Sequence, residues 1–95
     1  MLVLITYDVS TEDHAGKRRL RRVAKACQDY GQRVQNSVFE CVVDAGQLVM
    51  IKSRLVKLID PQKDSLRFYE MRGDRGNVEH YGAKPSFSVV EPMIL

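Results

Sequence analysis

The sequence has only two cysteines, Cys27 and Cys41, in no CxxC or Cys/His spacing. Neither a zinc site nor a redox pair is implied, and both read as reduced core residues. No stretch approaches the ~20 consecutive apolar residues of a membrane-spanning helix. The apolar run from Leu2 to Ile5 is too short for a secretory signal and lacks a basic leader, so a cytoplasmic protein without membrane attachment is expected. Internal repeats, low-complexity tracts and long linkers are also lacking. So is an RNP-type aromatic motif, which speaks against an RNA-recognition module.

What remains is ordinary for a folded domain. Ninety-five residues, 44% hydrophobic and 28% charged, predict one domain spanning 1–95 with a modest core, stabilised further by association. The net charge is +3 and the sequence pI about 9.0, a mild basicity that suits a polyanion without requiring one. Its distribution is more telling: Lys17, Arg18, Arg19, Arg21, Arg22 and Lys25 place six cations within nine residues.

Leu2 to Val9 reads as a buried strand running into the polar cluster Asp8, Ser10, Thr11, Glu12, Asp13. Leu20, Val23, Ala24, Cys27 and Tyr30 recur at helical spacing, with Gly31 as the expected stop. Arg33-Val34-Gln35 and Val38 to Val43 form an antiparallel pair turning at Asn36-Ser37, with Phe39, Cys41 and Val43 on one side. Asp44 and Gln47 fit a capping box, opening a second helix that buries Leu48, Ile51, Leu55, Leu58 and Ile59 and ends at Asp60-Pro61. Ser65 to Met71 is a further strand, Gly73 to Gly76 a turn, and Val78 to Tyr81 a short last strand.

This order predicts an α+β fold, a ferredoxin-like β-α-β-β-α-β sandwich with an extra C-terminal strand. One sheet face would be bare. The last strand has no evident place within a single subunit, so a homodimer is expected, with residues 77–95 as an extension contacting the partner.

Asp8, at the end of a buried strand beside Tyr7, is the foremost candidate for chemistry. Read alone, the pattern favours a carboxylate that only terminates the strand or accepts hydrogen bonds from the loop. One carboxylate makes a poor magnesium site, whereas a two-fold axis near the strand ends would let two copies of Asp8 share an ion. Such a pair predicts metal-dependent hydrolysis that weakens in acid. The cations of the first helix read either as a phosphate track or as a solvated face. His14 and His80 are isolated in sequence from any nucleophile patterned as a triad, so the pattern lends a general-base role no support.

Tyr7-Asp8-Val9, Lys17-Arg18, Arg22-Val23-Ala24-Lys25 and above all Tyr30 to Cys41 resemble the CRISPR-associated protein two family, in its type I subtype C form. The resemblance runs from Met1 to about Pro85. It implies a ferredoxin-like homodimer in which Asp8 binds magnesium (Mg2+), or manganese (Mn2+), at the interface for endonuclease activity on RNA or double-stranded DNA. Tyr7, Arg33 and Phe39 match positions that influence that activity, Arg33 through phosphate and Phe39 by packing beside the aspartate. Lys17, Arg18, Arg22 and Lys25 become candidate nucleic-acid contacts. The resemblance also implies a non-catalytic role, bridging copies of the CRISPR-associated integrase and holding the DNA to be inserted. A regulatory or acylphosphatase-type domain of the same fold is a third reading, one that does not need the basic helix.

Overall fold

The computed structural model describes residues 1–72 and 75–83. Their order is β1 (Leu2–Asp8), α1 (His14–Gln28), β2 (Gly31–Gln35), β3 (Val38–Val42), α2 (Ala45–Leu58), β4 (Ser65–Arg72) and β5 (Arg75–Gly82). The strands form one antiparallel sheet ordered β2-β3-β1-β4-β5. This is the ferredoxin-like arrangement with a fifth strand added on the β4 edge.

Both helices start on side-chain caps. The Asp13 carboxylate accepts from the Gly16 amide at 2.8 Å, satisfying a donor that the first helical turn leaves without a partner. At α2 the capping box is reciprocal, with the Gln47 amide donating to Asp44 at 2.7 Å and the Asp44 amide to Gln47 Oε1 at 2.9 Å. α1 ends earlier than its periodicity predicts, at Gln28 with Asp29 as C-cap, and Gly31 opens β2 instead. Gly31 is needed for close approach: a Cβ there would collide with the Glu40 carbonyl oxygen and Cys41 Sγ across the β2–β3 pair.

Strand alternation divides the sheet into two unlike faces. Val3, Ile5 and Tyr7 of β1, Phe39 and Cys41 of β3, and Leu66 and Phe68 of β4 are buried in one core with Val23, Ala26 and Cys27 of α1 and Leu48, Ile51 and Leu55 of α2. Phe39 and Phe68 are fully buried, each worth roughly 1.5–3 kcal/mol over an exposed position. On the other face no helix packs among the described residues. Leu2, Val42, Met71 and Val78 lie there 36%, 79%, 43% and 56% exposed, Leu2 standing directly between Val42 and Met71.

β5 departs from the expectation. It begins at Arg75 and pairs with β4 of its own chain from Arg72↔Arg75 to Ser65↔Gly82, so residues 77–82 have a place within one subunit. A short connection makes the antiparallel neighbour local in sequence, and Lys52 of α2 pins the pair by bridging Glu70 of β4 and Glu79 of β5. Gly73, Asp74 and the tail 84–95 lie outside the described residues. No helix among the described residues is long and apolar enough to cross a membrane.

Candidate active site and nucleic-acid interface

Asp8 is the last residue of β1, opposite Ser65 of β4. By alternation its side chain leaves on the open face, in the row of Leu2, Leu4 and Thr6. It is exposed, and among the described residues no side chain or amide engages its carboxylate. The other described aspartates are all committed. Asp13 and Asp44 cap helices, Asp29 pairs with Lys25 and Arg54, Asp60 accepts from the Gln62 amide, and Asp64 is saturated with donors.

Asp64 is the functional neighbour that sequence reasoning missed. It is fully buried and accepts from the Ser10 amide at 3.0 Å, the Asp60 amide at 2.8 Å and Arg19 Nε at 2.7 Å. Burial alone would raise its pKa, but the Arg19 bond and the two amides outweigh that and hold it below the ordinary carboxylate value. Ser10 lies two residues past Asp8, so this clamp fixes the path by which the chain leaves the site. The same contact removes Arg19 from the basic cluster.

Tyr7 and Phe39 lie on the opposite side of the sheet from Asp8. Their rings stack at 6.2 Å between centroids, and the register Ile5↔Phe39 puts Phe39 on the core face. The expectation that Phe39 packs beside the aspartate is therefore corrected, because a period of two sends neighbouring β1 side chains to opposite faces. Burial raises the pKa of Tyr7, which keeps it a neutral phenol, with its hydroxyl 3.4 Å from the Asn36 carbonyl. Arg33 is exposed, donates to the same carbonyl at 3.3 Å and sits 5.1 Å over the Phe39 ring.

The basic residues form a groove on the helix layer. Arg18, Arg21, Arg22 and Lys25 recur at three- and four-residue spacing, hence on one stripe of α1, and with Arg54 of α2 they line a cavity of about 680 Å³. Three of the expected contacts, Arg18, Arg22 and Lys25, are brought together there. Lys17 is exposed but does not line the groove, and Arg33 lies apart from it. Arg54 is an unexpected member, held by Asp29 at 3.0 Å and lying 5.7 Å over the Tyr30 ring.

Among the described residues no group of three or more potential ligands converges on a metal site. Asp8, the one described aspartate left uncommitted, has the hard oxygen donors that magnesium or manganese prefers and fits such an ion when a second copy completes the set.

The architecture and site define a small ferredoxin-like protein with an open strand-end carboxylate and a basic helical layer. The chain belongs to the CRISPR-associated Cas2 family, whose description, "CRISPR associated protein Cas2", matches residues 1–77. It is 62% identical to the CRISPR-associated endoribonuclease Cas2 of Nitratidesulfovibrio vulgaris over 96 residues, covering 100% of this chain and 94% of the relative. It is 60% identical to the CRISPR-associated endonuclease Cas2 of Halalkalibacterium halodurans over 95 residues, covering 99% of both chains. The crystal structure of Streptococcus pyogenes Cas2 at pH 6.5 superposes with a TM-score of 0.71 at 59% identity, covering 78% of this chain and 89% of that one.

Proposed function

We propose that this chain is a homodimeric, metal-dependent endonuclease that hydrolyses phosphodiester bonds of RNA or double-stranded DNA in the cytoplasm, during CRISPR spacer acquisition with the integrase. The observation that carries this reading is the uncommitted Asp8 carboxylate at the margin of an open sheet face that exposes Leu2, Val42, Met71 and Val78. Two such faces stacked about a two-fold axis cover Leu2, Val42, Met71 and Val78 and bring two Asp8 side chains together. Val78 belongs to β5, so that strand takes part in the contact.

The two carboxylates would hold magnesium or manganese, which when bound supplies Lewis-acid polarisation of a phosphoryl oxygen. The rest of the work belongs to the chain. Asp64 and Arg19 fix the loop after Asp8. Tyr7 and Phe39 pack beneath the strand end and hold it in place. Arg33 and the groove cations bind phosphate oxygens through charge-assisted hydrogen bonds.

A second reading draws on a separate observation. The cationic groove is on the helix layer and Asp8 on the other side of the sheet, so a dimer presents two outward basic surfaces, as a scaffold that bridges integrase copies and holds DNA without cutting it would require. One experiment tests both. Asp8→Ala is assayed on RNA and on double-stranded DNA, in magnesium and in chelator, alongside integrase binding and spacer acquisition. The nuclease reading expects cleavage by Asp8→Ala in magnesium to fall to the level of the native protein in chelator. Undiminished cleavage rejects the site, and retained integrase binding with lost cleavage assigns both roles.

A further inference from the structure

A second cavity adjoins the cationic groove. Its volume is about 430 Å³, and it shares Arg21 and Ala24 with the groove, so the two meet along α1. Leu20, Ala24 and the largely buried Tyr7 contribute its apolar lining. Arg21 stands on the α1 side, and Arg33 on the other beside the Asn36-Ser37 turn.

The volume is in the range of small-ligand sites. It is large enough for one nucleotide. Apolar walls with guanidinium groups on two sides match the two halves of a nucleotide, a flat base with little charge and a phosphate that accepts forked hydrogen bonds. Arg33 spends one N–H on the Asn36 carbonyl and keeps others for a ligand. Tyr7, held as a neutral phenol, adds no charge to the wall.

We propose that this cavity holds one unstacked nucleotide of a single strand, the base against Leu20, Ala24 and Tyr7 and the phosphate between Arg21 and Arg33. The proposal rests on the nucleic-acid reading above but not on hydrolysis, since the cavity lies across the sheet from Asp8. A strand whose phosphates follow the groove meets the cavity at Arg21. A duplex can use it only by releasing a base, so the cavity favours single strands and strand ends.

The test is calorimetric or NMR titration of the full chain, in chelator and at low salt, with uridine 5′-monophosphate, uridine and inorganic phosphate separately. The native protein is expected to bind the nucleotide more tightly than either part. Arg33→Ala should weaken that binding about tenfold, the loss of one charge-assisted contact. Lys57→Ala, an exposed cation of α2 outside both cavities, should not change it. Inorganic phosphate binding as tightly as the nucleotide would overturn the proposal, as would an Arg33→Ala variant with native affinity. Failure to bind the nucleotide while duplex binding keeps a steep salt dependence sinks the cavity alone; loss of both sinks the nucleic-acid reading as well.

Discussion

Arg19 and Asp64 are joined by a 2.7 Å bond between segments 45 residues apart in sequence. Asp64 is fully buried, and its remaining acceptor capacity goes to the amides of Ser10 and Asp60, so α1, the loop after β1 and the turn after α2 meet on one carboxylate. Gly16 belongs to the same junction: a Cβ there would strike the Ser10 carbonyl oxygen.

Removing one partner of a buried pair leaves uncompensated polar groups, so Asp64→Ala should destabilise the fold by about 3–5 kcal/mol. Chemical denaturation checks this. A loss under 1 kcal/mol would show that the three segments hold together without the carboxylate.

The depressed pKa of Asp64 also sets a pH dependence. A carboxylate whose folded value lies below its unfolded one contributes stability above the unfolded value, about 4, and loses it as pH falls through the folded value. Denaturation midpoints for the native chain should therefore decline below about pH 4, and the part of that decline due to Asp64 should vanish in Asp64→Asn. An identical acid limb in both proteins contradicts the assignment.

Burial pushes the Cys27 thiol up to about 12, and Cys41 is raised for the same reason. The thiolate is the reactive form. Native protein should resist alkylation by iodoacetamide at pH 8, with both cysteines reacting once denaturant unfolds the chain. Rapid alkylation under native conditions would mean that α1 opens from the sheet.

The cationic groove makes a prediction in salt. For B-DNA each phosphate contact contributes about 0.9 to the slope of log K against log salt. Replacing both Arg18 and Arg22 by alanine should flatten the slope by about 1–2 and weaken binding irrespective of sequence. An unchanged slope would make this face a solvated helix surface.

Local signals made much of this molecule legible in advance. The Asp44–Gln47 box, the turn at Asn36-Ser37 and the alternation of Phe39, Cys41 and Val43 are all encoded within a few residues, and the structure reproduces them. What escaped depends on distant contacts. Asp64 lies in the polar stretch Gln62-Lys63-Asp64-Ser65, which has a surface composition, and only three converging segments bury it. Arg54 joins the groove because α2 packs beside α1. β5 was expected to need a second subunit, but its pairing with β4 and the Lys52 bridges give it a place in its own. The division of Asp8 from Tyr7 and Phe39 was implicit in the period of two that predicted the strands.

The most direct test is the stoichiometry of manganese bound to purified protein, followed by calorimetry or electron paramagnetic resonance. Two strand-end carboxylates sharing one ion predict one manganese for every two chains, abolished by Asp8→Ala while the dimer persists in sedimentation. One ion per chain, or binding that survives Asp8→Ala, would contradict a site built across the two-fold axis.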